Sequence, residues 1–81
     1  MKMKREEIIS KLNEIFVEVL DLDNTPELTD ATRAIDIEEW DSLSHIQLVF
    51  AIEKVFGIKF TAQEIVTWKN VGEMVDCILS K

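Results

Sequence analysis

The sequence predicts an all-α protein: a small four-helix bundle with a long loop between helices 1 and 2 and a short third helix. Apolar residues recur at spacings of three and four in three stretches of the chain, which is the period of an amphipathic helix. No stretch alternates apolar and polar residues strongly enough to be a strand. Because the chain has 81 residues and 47% of them are hydrophobic, we expect residues 1–81 to form one domain.

The first helix is predicted to run from about Lys4 to Leu20. Its apolar residues share one face, while charged residues fill the other side. The apolar face consists of Ile8, Leu12, Ile15, Phe16 and Val19. Thr25-Pro26 ends the pattern, because proline cannot continue a helix and also restricts the residue before it.

An acidic segment without a regular period, from Asp21 to Asp41, connects the first two helices. It contains eight acids and one base, Arg33, whereas acids and bases balance elsewhere, so the net charge of −7 lies here. This charge argues against a nucleic-acid partner and favours proteins with basic docking surfaces, although the acids could equally serve only to solvate a loop. Long loops in compact domains are usually functional. Its candidate anchors to the core are Leu28, Ile35 and Ile37.

The second helix is predicted to begin after Asp41, a good N-cap, and to end at Phe56. Gly57 suits the left-handed position just beyond that end. Thr61-Ala62-Gln63-Glu64 has the spacing of a capping box and predicts a short third helix. Asn70 offers a similar cap for a fourth helix, whose apolar face consists of Val71, Met74, Val75 and Ile78.

Two apolar stripes run along the second helix, if successive residues are rotated by about 100°. The stripe that we expect to face the core consists of Leu48, Val49, Ile52, Val55 and Phe56. A second stripe, roughly opposite, consists of Leu43, Ile46 and Phe50. A small bundle cannot easily bury both sides of one helix. The second stripe is therefore either an exposed docking patch or a surface covered by the long loop.

Ser42 lies at the start of this helix, directly before the second stripe. A helix N-terminus has unpaired N–H groups and partial positive charge, so it favours an attached phosphate. Ser42 is thus a candidate for modification, although Asp-Ser at a helix start is more often an ordinary cap. Ser44 is a second hydroxyl nearby. His45 could in principle be the base of a catalytic pair with Ser42, but no oxyanion hole is visible, and a structural or partner-contacting histidine is the better interpretation.

Residues spread over nearly the whole chain match one family pattern: Trp40-Asp41-Ser42-Leu43, Ile46, Leu48-Val49, Ala51-Ile52-Glu53-Lys54, Phe56-Gly57-Ile58 and Asn70-Val71-Gly72. With this pattern the chain resembles an acyl carrier protein. The resemblance implies a covalent 4′-phosphopantetheine arm on Ser42, beside the cap Asp41, added by a phosphopantetheinyl transferase. The arm carries acyl groups as thioesters, so the resemblance implies a non-catalytic carrier.

The resemblance also implies where partner enzymes bind. Partners commonly contact apolar residues beside the serine and acids along the second helix, where Gln47 and Lys54 replace acids in this chain. The implied contact residues are Leu43, Ile46, Phe50 and Glu53, with acidic recognition shifted towards Asp36, Glu38, Glu39 and Asp41. The implied partners are acyl-transferring or acyl-activating enzymes and synthases with basic docking surfaces.

One departure from the family pattern bears on the pathway. Many fatty-acid carriers have Asp-Leu-Gly before the serine triplet, whereas this chain has Ile37-Glu38-Glu39-Trp40. The difference predicts a specialised lipid, polyketide or related biosynthetic pathway. An aminoacyl or peptidyl carrier stays open, although such carriers often have glycine before the triplet. An unmodified helical interaction module also stays open, and an enzyme using Ser42 and His45 is the least supported.

Other residues define the expected setting. Cys77 is the only cysteine, so no internal disulfide can form, and a reducing, cytoplasmic environment is expected. Cys77 is interpreted as a packing residue, and no metal site is predicted. No apolar run could span a bilayer, and the basic start from Met1 to Arg5 lacks the apolar core of a signal peptide. We expect a monomer without membrane partners, in which Trp40 and Trp68 anchor loop and helix ends.

Overall fold

A computed structural model describes residues 3–81, so Met1 and Lys2 of the basic start lie outside the described residues. The described chain is all-α, as predicted, and its four α-helices are α1 (Arg5–Leu20), α2 (Ser42–Phe56), α3 (Ala62–Thr67) and α4 (Val71–Leu79). One 3₁₀ turn, Ala34–Asp36, lies within the long loop between α1 and α2. In residues 3–81 no helix combines the length and apolar character needed to cross a membrane.

Both ends of α2 agree with the sequence prediction. At the start, a side-chain oxygen of Asp41 accepts a hydrogen bond from the Ser44 N–H at 2.9 Å. At the end, Gly57 has φ +65°, a left-handed conformation that glycine adopts without a Cβ clash. The carbonyl of Glu53 accepts from the N–H of Gly57 and, at 3.1 Å, from that of Ile58. The helix therefore begins beside Ser42 and stops sharply after Phe56.

The two last helices begin with the predicted caps. The Thr61 hydroxyl accepts from the Glu64 N–H at 3.1 Å, and the Glu64 carboxylate accepts from the Thr61 N–H at 2.8 Å. Asn70 caps α4 by accepting from the Glu73 N–H at 2.9 Å. The Glu64 carboxylate also accepts a hydrogen bond from the Lys81 ammonium at 2.9 Å. This bond, followed by the bond from the Thr61 N–H, lowers the pKa of the Glu64 carboxyl to about 2. These contacts fix α3 against the end of the chain.

The core is one cluster to which α1, α2, α4 and the long loop contribute buried side chains. Its buried members are Ile8, Leu12, Ile15, Phe16, Leu20, Leu28, Trp40, Leu48, Ile52, Val71, Met74, Val75 and Ile78. The apolar face predicted for α4 is confirmed, as are Leu48, Val49 and Ile52 on α2. Leu28 anchors the long loop, and Ile37 packs against the cluster as a partly buried side chain.

Two residues predicted to be in the core are exposed instead. Ile35 is 81% exposed, because the whole 3₁₀ turn lies at the surface and Ile37, directly after the turn, is the residue that packs on the core. Val55 is 51% exposed, because it lies in the last turn of α2 and the chain turns away at Gly57 without covering it. The core-facing stripe of α2 is therefore shorter than its sequence pattern indicates.

The long loop is held against α4 at a close backbone contact. The Gly72 N–H donates to the Asp30 carbonyl at 2.9 Å, and Arg5 bonds the Asp30 carboxylate, the Asp76 carboxylate and the Gly72 carbonyl. A Cβ at Gly72 would lie 2.9 Å from the Asp30 carbonyl oxygen and 3.1 Å from the Asp30 Cβ. Only glycine fits between the loop and α4 at this point.

We expect Gly72→Ala to lower the free energy of unfolding by about 1–3 kcal/mol, the usual cost of forcing extra atoms into a packed site. The added methyl must push the Asp30 backbone away, which also lengthens the hydrogen bond that joins the loop to α4. Urea denaturation followed by far-UV circular dichroism measures the change. An unchanged midpoint would contradict the close approach.

Candidate functional site

Ser42 is the first residue of α2 and is exposed. Within residues 3–81 its hydroxyl has no hydrogen-bond partner, so the oxygen is free to react or to be modified. The Ser44 hydroxyl, two residues later, is instead bonded on both sides: it accepts from the Asp41 N–H at 2.8 Å and donates to the Glu39 carbonyl at 2.9 Å. The Ser44 side chain thus belongs to the helix cap, whereas the Ser42 side chain faces solvent.

Asp41 fixes the turn that presents Ser42. Its carboxylate accepts from the Ser44 N–H, and this bond, followed by that of the Ser44 hydroxyl, lowers the pKa of Asp41 below its ordinary value. The carboxylate is therefore charged near neutral pH and keeps its capping bonds. Because the His45 N–H bonds the Asp41 carbonyl at 2.9 Å, the first turn of α2 is closed on both sides of Ser42.

Aromatic rings support this turn from inside the molecule. Trp40, which is 7% exposed, meets Phe16 of α1 edge to face, with ring centroids 4.9 Å apart. The Trp40 indole N–H donates to Nδ1 of His45 at 3.1 Å. Trp68 lies on the other side of His45, at 6.0 Å between centroids, and also meets Phe60 at 4.8 Å. The prediction that both tryptophans anchor loop and helix ends is confirmed.

His45 is not arranged as a catalytic base for Ser42. Its Nδ1 accepts the Trp40 indole proton, and in residues 3–81 no hydrogen bond joins it to Ser42. Partial burial lowers the pKa of His45 below its ordinary value, and a bond to the Ile65 backbone offsets only part of that effect. The neutral ring is therefore the form that fits between Trp40 and Trp68, in agreement with the structural interpretation.

We expect the stability of the protein to fall as His45 is protonated. A folded-state pKa below the unfolded value of about 6.5 favours the neutral ring, so its contribution is fully present above pH ~6.5 and declines as the pH falls below that value. Urea denaturation between about pH 7.5 and 5.5 measures this, with His45→Gln as the non-titrating control. Parallel pH profiles for the two proteins would contradict it.

The second apolar stripe of α2 is exposed and the long loop does not cover it. Leu43 is 69% exposed, Ile46 53% and Phe50 67%. Two further apolar side chains are almost fully exposed, Ile35 in the loop at 81% and Val66 on α3 at 79%. Sequence periodicity did not identify Val66, because a six-residue helix has too few turns to define a face. Exposed apolar side chains of this size are common in surfaces that bind other molecules.

The acids named from the sequence fall into two groups. Glu38 and Glu39 are exposed, as is Asp36, whose carboxylate accepts from the Arg33 N–H at 2.9 Å. Glu53 is only partly exposed, and its carboxylate accepts from the Phe60 N–H at 2.8 Å. Glu53 thus fixes the turn after α2, whereas the exposed carboxylates of this group lie in the loop before Ser42.

The site is suited to holding an anion covalently rather than to catalysis. A phosphate on the Ser42 oxygen would lie at the N-terminus of a fifteen-residue helix whose first turn has no acidic residue. The Cys77 thiol, whose pKa is raised mainly by burial, lies 3.5 Å from Glu64 on another part of the surface. In the part of the chain that the structure describes, no group of three or more His, Cys, Asp or Glu residues could bind a metal.

Comparisons with known proteins agree with this geometry. A family model described as a phosphopantetheine attachment site matches residues 10–78. An acyl carrier protein of Acidothermus cellulolyticus is 33% identical over 96% of this chain and 92% of its own length. A meromycolate extension acyl carrier protein of Mycobacterium leprae is 30% identical over 96% of this chain and 67% of its own length.

A solved structure has the same fold. The solution NMR structure of a holo acyl carrier protein from Geobacter metallireducens superposes with a TM-score of 0.83. The two sequences are 40% identical, and the match covers 91% of this chain and 84% of the other. The four-helix arrangement described above is therefore the arrangement of that solved protein.

Proposed function

Because this chain belongs to the acyl carrier protein family, we propose that Ser42 is the residue to which its 4′-phosphopantetheine arm is attached. The observation that carries the proposal is the contrast between two serines of one helical turn. The Ser42 hydroxyl is exposed and unbonded within residues 3–81, whereas the Ser44 hydroxyl is held by Asp41 and Glu39. A transferase can reach the first oxygen without disturbing the cap.

As a family member the chain is a non-catalytic carrier, and its covalent cofactor is 4′-phosphopantetheine. The arm supplies a terminal thiol that holds acyl groups as thioesters. The chain's own part is to present Ser42 at the exposed edge of the bundle, with the turn fixed by Asp41 and Ser44. The N-terminal dipole of α2 stabilises negative charge at this point. Trp40 anchors the preceding loop to the core.

The partner surface that we propose has an apolar side and an acidic side. Leu43, Ile46 and Phe50 supply the apolar contacts, and the charge before Ser42 attracts basic enzyme surfaces. Its acidic residues are Asp36, Glu38, Glu39 and Asp41. Its partners are a phosphopantetheinyl transferase and enzymes that load, transfer or extend acyl groups. Glu53 has a smaller part than the family pattern implies, because its carboxylate is bonded to the Phe60 N–H.

We expect Glu38→Lys combined with Glu39→Lys to slow phosphopantetheine transfer by about tenfold at low salt, since charges at the rim of an interface act mainly on the association rate. The difference should shrink as salt is added, because screening weakens exposed charges. Glu14→Lys combined with Glu18→Lys on the exposed side of α1 makes the same change of charge elsewhere and should leave the rate near that of the wild type. Equal effects of the two pairs would contradict recognition at the loop.

The pathway that we propose is a specialised lipid, polyketide or related one. Support comes from the loop before Asp41, which lacks the glycine of many fatty-acid carriers and has an added Trp40, and from Gln47 and Lys54 at positions where acids are frequent. An enzyme that reads acids along α2 would find fewer of them here. The experiment is to compare malonyl loading of the holo protein with that of a housekeeping carrier by the same fatty-acid malonyl transferase. Equal efficiency would contradict a specialised role.

A further inference from the structure

A continuous row of aromatic rings fills the bundle beside Ser42. It begins with Phe16 on α1 and continues through Trp40 of the loop and His45 of α2 to Trp68 after α3. Neighbouring centroids are 4.9 Å, 6.0 Å and 6.0 Å apart in that order. Trp40 precedes Ser42 by two residues and His45 follows it by three. Both rings therefore lie at the N-terminal end of α2, which is the end that an arm on Ser42 would adjoin.

Little space remains behind this row. The cavity between Trp40, His45, Trp68 and Met74 has a volume of about 60 Å³. A cavity of about 150 Å³ in a protein core holds one benzene molecule, so a space of about 60 Å³ accepts on the order of two carbon atoms. A larger space of about 440 Å³ borders Phe56 at the opposite end of α2. A fifteen-residue helix separates the two ends by about 20 Å.

The size of the nearer cavity matters for an acyl group on the arm. Moving a methylene from water into apolar surroundings is favourable, so a long acyl chain enters any apolar space that it can reach. Resting on the attachment of the arm at Ser42, we propose that Trp40, His45 and Trp68 form a plug that keeps acyl groups outside the bundle and so determines the cargo. The cargo class that fits is short acyl groups, or longer ones whose polar substituents tolerate water.

The plug resists opening because its members hold one another. The Trp40 indole N–H bonds His45, and the Trp40 ring packs on Phe16. Entry of a chain between α2 and α3 would separate Trp68 from His45 or break the Trp40 bond, leaving a buried donor without an acceptor. A chain kept outside is directly accessible to the enzymes that modify it.

The test compares acetyl and octanoyl forms of the holo protein, prepared on the full chain and verified by intact mass. In the wild type we expect both forms to have the same thermal midpoint and the same methyl NMR shifts for Met74 and Leu48. A raised midpoint or moved core methyl shifts in the octanoyl form would overturn the proposal, because a chain bound in the folded state stabilises it. Failure to obtain the phosphopantetheine mass would instead overturn attachment at Ser42, so the two failures are distinguishable.

A pair of variants tests the plug itself. Trp68→Ala enlarges the cavity, so we expect its octanoyl form to melt at a higher temperature than its acetyl form and to move the Met74 methyl shift. Val66→Ala, two residues earlier at a side chain that is 79% exposed, should behave as the wild type. Each comparison is made within one variant, so a general loss of stability does not affect it. Identical acetyl and octanoyl forms of a folded Trp68→Ala protein would overturn the role of the plug.

Discussion

Ser42→Ala is expected to abolish phosphopantetheine transfer completely while leaving the fold intact. The Ser42 side chain is exposed and makes no hydrogen bond within residues 3–81, so its loss should change the free energy of unfolding by no more than about 0.5 kcal/mol. Intact mass after incubation with coenzyme A and a broad-specificity transferase measures transfer, and urea denaturation measures stability.

Ser44→Ala is the matched control and should give the opposite result. It removes the hydroxyl that bonds the Asp41 N–H and the Glu39 carbonyl, at a cost of about 1–2 kcal/mol, while leaving an acceptor serine in place. The folded Ser44→Ala protein should therefore still gain one arm. Continued modification of Ser42→Ala, or loss of modification in Ser44→Ala, would contradict the assignment of the two serines.

Trp40→Ala is expected to be the most destabilising substitution near the site. Trp40 is 7% exposed and packs on Phe16, and truncating a buried aromatic residue usually costs about 3–5 kcal/mol. A chain of 81 residues has roughly 4–12 kcal/mol of stability in total, so this loss is a large fraction of it. The urea midpoint by far-UV circular dichroism reports the loss without depending on tryptophan fluorescence.

Trp40→Phe separates the two roles of this side chain. It keeps a ring against Phe16 but removes the N–H that bonds His45, which should cost about 1 kcal/mol for the lost hydrogen bond. The phenylalanine variant should therefore be much more stable than Trp40→Ala. Equal midpoints for the two variants would show that packing on Phe16 does not hold the loop.

The helices were predictable because their signals are local. Asp41, Gly57, Thr61 and Asn70 each act within one turn of their position, and the structure places helix ends where they indicate. The second stripe of α2 was also identified from the sequence, with exposure to solvent and coverage by the long loop as the two alternatives. Whether the long loop covers that stripe depends on the path of the loop. The loop has no regular period, so its path could not be derived from sequence periodicity.

Other features required coordinates because they join distant residues or depend on side-chain direction. Asp30 and Gly72 meet across 42 positions of sequence, and nothing in their local pattern indicates a backbone contact. The bond from Trp40 to His45 crosses a helix start, where a helical period does not apply. The different roles of Ser42 and Ser44 likewise depend on side-chain direction, because only the Ser44 hydroxyl points back to Asp41 and bonds it.

The most direct test of the proposed attachment site is to locate the arm in the wild-type protein. After transfer from coenzyme A, fragmentation of the peptide that spans residues 41–54 distinguishes Ser42 from Ser44, because fragments that end between the two serines differ in mass. We expect every fragment with Ser42 but without Ser44 to retain the phosphopantetheine. An arm that remains with Ser44, or a folded protein that gains no arm from several transferases, would contradict the proposed function.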